Sequence, residues 1–337
     1  MLGYRGILVA SGIVLVALGG GVWLSLAPQP AEAVRTYTPP STELPITPIP
    51  DSLNLDPRKV DLGRRLFHDK RLSGSDTISC ASCHDLKQAG VDAKPVAIGI
   101  RNQVGTVNSP TVLNSTFNFR QFWDGRAATL EEQAEGPVHN PIEMASNWPQ
   151  VINKLSRDAQ YVKDFNAIWP DGIQSAHIQS AIAEFERSLI TPDSAFDRYL
   201  KGDAQALSAE ARKGWDLFRN LGCIACHQGV NMGGNMYANL GIMGDFFAER
   251  GKPVVKSDLG RFNVTGRQAD RHMFKVPSLR NIARTGPYFH DGSIAELEKA
   301  VETMARYQLG VELSEPDRNL LVSFLKSLSG QPPVAKP

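Results

Sequence analysis

Cys80-Ala81-Ser82-Cys83-His84 and Cys223-Ile224-Ala225-Cys226-His227 are two copies of one pattern, C-x-x-C-H, and together they use all four cysteines of the chain. On a turn of helix, two sulfurs three residues apart can reach the two vinyl groups of one porphyrin, and the next side chain places an imidazole under the iron. The pattern therefore reads as covalent attachment of c-type haem. Three other uses of paired thiols compete: a zinc site built from all four thiolates, redox-active C-x-x-C pairs, and structural disulfides. None of them requires the histidine, and with seven His in 337 residues its recurrence after both pairs is improbable by chance. Two covalently bound haem c groups are the expected cofactors.

Outward from these motifs, the chain repeats itself weakly. Gly63-x-x-x-Phe67 precedes the first motif and Gly214-x-x-x-Phe218 the second, each on an expected helix. Asp56-Pro57 reads as an N-cap with proline at the first helical position, predicting a helix over about 57–69. Thr129/Glu132 and Ser293/Glu296 match the capping box and predict two further helix starts. Ile178, Ile182, Phe185 and Leu189, and later Leu320, Phe324 and Leu328, recur at helical spacing. No comparable alternating strand pattern occurs. The fold expected is mainly α, two cytochrome c-like haem domains packed together, with boundaries at 51–192 and 193–330 where Thr191-Pro192-Asp193 interrupts the helical pattern.

The 36 Lys+Arg against 35 Asp+Glu leave a net charge of +1, which argues against a nucleic-acid partner, and 42% hydrophobic with 21% charged residues is a globular composition. Residues 6–27 carry no charge and follow Arg5, enough rise for a helix to cross a bilayer. Residues 1–27 thus read as a signal anchor, or as a signal peptide cut near Ala31-Glu32-Ala33. Residues 28–50 hold seven prolines and read as an extended linker. Export agrees with haem attachment, so the expected location is the periplasmic side of a bacterial membrane, either anchored by residues 6–27 or soluble after cleavage.

Further blocks run in one order along the chain: Phe122-Trp123-Asp124-Gly125-Arg126, Glu132-Gln133-Ala134, Asn140-Pro141-Ile142-Glu143-Met144, Lys275-Val276-Pro277-Ser278-Leu279-Arg280-Asn281, Pro287-Tyr288-Phe289-His290-Asp291-Gly292 and Ala300-Val301-Glu302-Thr303-Met304. With the two haem motifs, they make the chain from about 55 to 328 resemble the bacterial dihaem cytochrome c peroxidases and the related MauG-type proteins. The resemblance implies an N-terminal haem, held by His84, as the peroxide site and a C-terminal haem, ligated by His227 and Met304, as the electron entry. It implies Glu143 as the catalytic carboxylate, Gln133 as a pocket amide, and Trp123 as an aromatic bridge between the haems. It also places Asn108, Thr285 and Pro287 at positions that bind calcium between the domains. The partners implied are hydrogen peroxide and a small cytochrome c or copper protein as electron donor; a homodimer is a candidate assembly. Read without the resemblance, Met304 and Trp123 are equally core residues and Glu143 a loop charge.

One departure matters. Where well-studied members of the family carry a histidine that caps the peroxide haem until the other haem is reduced, this chain reads Ala97-Ile98-Gly99-Ile100. Isoleucine has no lone pair for iron, so the first haem is expected to be open at rest. An open first haem is also a MauG-type feature, and MauG-type oxidation of a partner protein is the first alternative. Tyrosine replaces the methionine on the second haem in those proteins, so Met304 favours the peroxidase. A dihaem electron carrier or sensor without turnover is the second alternative. His68 and His139 are candidate substitute caps for the first iron.

Overall fold

The computed structural model describes residues 45–331. The leader and most of the proline-rich stretch lie outside the described residues. Among those described, no helix is long and apolar enough to cross a membrane.

The fold is mainly helical. Helices α1 (Pro57–His68), α2 (Leu130–His139), α3 (Trp148–Leu155), α4 (Ala159–Ile168) and α5 (Ser175–Ser188) precede the short α6 (Ala195–Leu200), and α7 (Ala209–Asn220) follows it. The strand β1 (Tyr237–Asn239), the single-turn helices α8 (Phe246–Glu249) and α9 (Phe262–Thr265), the strand β2 (Met273–Lys275), α10 (Leu297–Met304) and α11 (Glu315–Lys326) complete it. The two strands pair antiparallel, Tyr237 opposite Lys275.

The start of α1 is as expected, Asp56 accepting from the Arg58 N–H at 2.9 Å. Thr129 caps α2 by accepting from the Glu132 N–H, but the Glu132 carboxylate reaches past the N-cap to the Ala128 N–H instead of making the reciprocal bond to the Thr129 N–H. The box at Ser293 does not start a helix. Tyr288 and Ile294 form an antiparallel bridge, so Ser293-Ile294 is committed to a hairpin and α10 begins only at Leu297.

Two helix crossings organise the core. Gly63 of α1 lies against the Ala181 carbonyl of α5, and Gly214 of α7 against the Leu320 carbonyl of α11; in each case a Cβ would overlap the facing backbone. Beside each glycine, aromatic rings meet: Phe67 with Phe185 at 5.3 Å, Phe218 with Phe324 at 5.2 Å. The sequence repeat is thus a structural one, with a haem motif following α1 and α7 alike as a single 3₁₀ turn, Cys80–Ser82 and Cys223–Ala225.

Between the repeats, the chain is tied in rather than loose. Thr191 is fully buried; its hydroxyl accepts from the side-chain amides of both Asn114 (2.8 Å) and Asn281 (2.9 Å), and its N–H donates to Asn114 Oδ1. Asn114 and Asn281 both sit in the left-handed region, at φ 60° and 61°. The described end of the proline-rich stretch is also packed. Ile46 and Ile49 are buried, and the Ile49 N–H donates to Asp197. Asp197 is ion-paired with the fully buried Arg280, which itself donates to the Thr47 carbonyl.

If close approach at the crossings sets the fold, Gly214→Ala should destabilise the holoprotein by about 1–3 kcal/mol. The exposed neighbouring Lys213→Ala should stay within about 0.5 kcal/mol of wild type. Denaturant unfolding measures both; equal midpoints for the two variants would count against the crossing as the organising contact.

Candidate haem sites and the cavity at the second motif

Each histidine of the two motifs is oriented by its own backbone. Nδ1 of His84 lies 3.2 Å from the Gly90 carbonyl, and Nδ1 of His227 lies 3.2 Å from the Met232 carbonyl. A carbonyl only accepts, so the proton sits on Nδ1 and the lone pair on Nε2, as a metal-ligating imidazole requires. Burial keeps both rings neutral by pushing their pKa down, His227 to about 4.

No disulfide joins the four cysteines. Burial pushes Cys80 up to about 12, and Cys83 and Cys223 up to about 11, with Glu186 adding to the effect at Cys80 and Asp92 and Glu143 at Cys83. Redox-active C-x-x-C pairs depend on a lowered thiol pKa, and these are raised. Among the described residues, no three His, Cys, Asp or Glu side chains gather as a metal cluster, so the two thiol pairs do not form one zinc site.

A cavity of about 430 Å³ is lined by Cys223, Cys226, His227 and Met304, with Leu297, Ala300 and Val301 of α10 beside Met304. A soft thioether and an imidazole with a free lone pair share this cavity with two thiols at vinyl-reaching spacing, a donor set that fits haem c. A π-helical turn, Ala305–Leu309, follows Met304, and its Gln308 accepts from Gly241 and donates to the Asn239 carbonyl, closing that side of the wall. Trp123, Asn108, Thr285 and Pro287 line the same cavity, so the structure brings these residues together with the second motif.

Trp123 is held at both ends: its Nε1–H donates to the Asn108 carbonyl at 3.0 Å, and its own carbonyl accepts from the Lys275 N–H at 2.8 Å. It lies in a hairpin that the chain uses twice. In Phe122-Trp123-Asp124-Gly125 the Phe has φ 68° and the Gly 65°; in Phe289-His290-Asp291-Gly292 the values are 69° and 58°. Antiparallel bridges close both, Gln121 to Ala127 and Tyr288 to Ile294. His290 is therefore the structural counterpart of Trp123, and the two rings meet edge to face at 6.5 Å. His290 stacks on Phe274 and bonds through Nε2 to Asp258 Oδ1 at 2.8 Å, while Asp258 also pairs with Arg250. The His290-Asp258-Arg250 chain escaped sequence reasoning because its members are far apart in sequence. The repeated Phe-x-Asp-Gly was the available signal.

Around the first motif, Glu143 approaches closely enough to perturb the Cys83 thiol. Asn140 Nδ2 donates to Glu143 Oε1 at 2.7 Å. Burial pushes the Glu143 carboxyl pKa up, and the Asn140 hydrogen bond and the Arg126 charge only partly oppose this. The Glu143 carbonyl accepts from the Ile100 N–H at 2.9 Å, and a Cβ on Gly99 would overlap the Ile142 carbonyl, so the loop carrying Ile100 lies directly on the Glu143 turn. Ile100 is buried. Gln133 sits half-buried on α2, its side chain without a hydrogen-bond partner among the described residues. Both candidate caps are occupied elsewhere. His68 Nδ1 bonds the Arg64 carbonyl on an exposed face, and His139 lies edge-on to Trp148 and 3.5 Å from Glu135. A buried carboxyl that the motifs did not single out, Glu186 of α5, lies near Cys80 and is pushed up to about 8 by burial.

The family described as di-haem cytochrome c peroxidase matches residues 57–205. The chain is 48% identical over 309 residues to cytochrome c peroxidase Ccp of Escherichia coli, covering 90% of this chain and 66% of that one. It is 45% identical over 323 residues to cytochrome c551 peroxidase of Nitrosomonas europaea, covering 96% and 90%. Among solved structures, a MauG-like protein associated with microbial copper homeostasis superposes with a TM-score of 0.75 at 29% identity, covering 88% of this chain and 95% of the other.

Asp258 supplies a test of the wall beside Trp123. Burial pushes its carboxyl up, but hydrogen bonds from Arg250, the Val255 N–H and His290 outweigh that and hold it at about 2, below the usual 3.8. Its contribution to stability is therefore full above about pH 4 and is lost as pH falls through 3.8 towards 2. Asp258→Asn leaves the buried Arg250 with only Asp291, at 3.4 Å, as counter-charge and should cost about 3–5 kcal/mol at neutral pH. Unfolding midpoints against pH check this; a variant as stable as wild type at pH 7 refutes it.

Proposed function

We propose, for a chain that belongs to the di-haem cytochrome c peroxidase family, that it reduces hydrogen peroxide to water with electrons from a small exported redox protein. The observation that carries this reading is the cavity in which Cys223, Cys226, His227 and Met304 meet Trp123. Two cytochrome c-like domains, 51–192 and 193–330, would each hold one haem c: Cys80, Cys83 and His84 the first, Cys223, Cys226, His227 and Met304 the second. Bound haem supplies an iron at which peroxide is reduced and a second iron, with His and Met ligands and a raised potential, at which electrons enter. The net reaction consumes hydrogen peroxide, two electrons and two protons, and gives two waters.

The residues of the chain supply positioning and proton transfer. Glu143 would, as the carboxylate, take a proton from one peroxide oxygen and hand it to the other, and the upward push that burial gives its pKa makes it a stronger base for the first of these transfers. Asn140 fixes the Glu143 carboxylate by its 2.7 Å hydrogen bond, leaving Oε2 for the substrate. Gln133 offers an amide to the same pocket. Trp123, with its indole and carbonyl both tied down, is a rigid aromatic path between the two attachment sites. Asn108 directs its Nδ2 to the Lys94 carbonyl, so its Oδ1 is free to join oxygen atoms of Thr285 and Pro287 around a calcium ion.

Ile100 occupies the loop on the Glu143 turn, buried and aliphatic, and supplies no ligand to the first iron. The first site is thus open in the fully oxidised protein, and turnover needs no prior reduction. Met304 on the cavity wall supports the peroxidase over the MauG-type reading. The location proposed is the periplasmic side of a bacterial membrane.

Peroxide consumption with reduced cytochrome c, started from fully oxidised protein, should proceed without a lag, and the electron paramagnetic resonance spectrum of that protein should contain a high-spin ferric signal. Two low-spin signals alone, together with an activation lag, would remove the open-site reading. Glu143→Gln should lower turnover by about 10²–10⁴ with haem content unchanged; full turnover would take Glu143 out of the proton path.

A further inference from the structure

Lys275 is a buried cation without a counter-charge among the described residues. It ends β2, with its Cα paired to Tyr237 and its N–H given to the Trp123 carbonyl at 2.8 Å. Its side chain is only 7% exposed and lines the cavity that holds Cys223, Cys226, His227 and Met304. Burying an ammonium without a partner costs several kcal/mol, so buried cations are normally paired. Other buried cations of this chain obey the rule: Arg280 lies 2.8 Å from Asp197, and Arg250 sits between Asp258 and Asp291. Lys275 does not. Among the described residues, no charged group and no hydrogen bond acts on its ammonium; burial alone does. Burial pushes the ammonium down to about 8, and no neighbouring charge opposes it.

The group expected in this cavity carries the missing charge, because a c-type porphyrin has two propionate carboxylates that its thioether bonds leave free. We propose that Lys275 is a positioning residue for the second haem, its ammonium paired with a porphyrin propionate on the wall it shares with Trp123. The inference rests on the reading of this cavity as the second haem site. Two consequences follow from the charge and from the backbone. A fixed positive charge beside the second haem favours its reduced form and raises its potential, in the same sense as the Met304 thioether. One residue would also hold the porphyrin carboxylate with its side chain and the Trp123 carbonyl with its amide, tying the electron-entry group to the indole.

Redox titrations of holoprotein, followed at the haem α-band with haem content fixed by pyridine haemochrome, test this in wild type, Lys275→Met and Lys275→Arg. Lys275→Met should shift the second-haem equilibrium towards the oxidised form by about tenfold, or about 59 mV for one electron. Lys275→Arg should restore most of that shift, and the first haem should move less. An unchanged second-haem midpoint in a two-haem Lys275→Met protein overturns the proposal. Should that variant fail to mature, a crystal structure of the wild-type holoprotein decides: Nζ within ion-pair distance of a propionate oxygen supports the pairing, and Nζ bound to protein or solvent overturns it. Loss of peroxide turnover with both haems and the Lys275 effect intact counts against the peroxidase reading alone. A wild-type chain with one haem overturns both.

Discussion

The rest of the structure depends on how closely two pairs of helices can approach. With glycine at 63 and 214, α1 and α7 lie backbone to backbone against α5 and α11, and the aromatic pairs Phe67/Phe185 and Phe218/Phe324 close beside them. Each haem motif follows one of these helices, the second with two residues between it and α7 and the first with eleven between it and α1. The sulfur and imidazole positions are then set by a single 3₁₀ turn, and the Nδ1-to-carbonyl contact five or six residues later fixes the ring. A larger side chain at either glycine would force the facing backbones apart, and with them the helix that each haem motif follows.

The two repeats share a frame but use it differently. The hairpin that carries Trp123 in one carries His290 in the other, with the same pattern of left-handed residues. The indole is bonded to a backbone carbonyl, whereas the imidazole is held by a buried carboxylate that is itself held by arginine. Around one motif lie a buried carboxyl with a raised pKa and an aliphatic loop; around the other lie a thioether, a π-helical turn and a buried lysine. The chemistry of the two sites is separated by these substitutions within a common backbone.

Much of this was legible in the sequence. The two C-x-x-C-H motifs, the glycine–phenylalanine repeat and the helical periodicities at Ile178–Leu189 and Leu320–Leu328 depend on local spacing, and local spacing is what a helix preserves. The Ser293/Glu296 box misled because a hairpin bridge between Tyr288 and Ile294 claims the same residues, a non-local contact no capping rule contains. Lys275 and Asp258 were invisible for a similar reason: a charged residue's burial is decided by what packs over it. The proline-rich stretch was read from its lack of helix and interior strand, which is correct chemistry, but the packing of Ile46 and Ile49 depends on Asp197 and Arg280 far along the chain.

The Thr191 clasp bears on how independent the two repeats are. One hydroxyl serves as acceptor for an asparagine from each repeat, at positions with matching backbone conformation, and all three residues are fully buried. Severing the chain there would strand two buried amides in place of one satisfied triad. The molecule is therefore better regarded as a fused dimer whose seam has been sealed than as beads on a string, and heating it should melt both haem-bearing parts in one cooperative step.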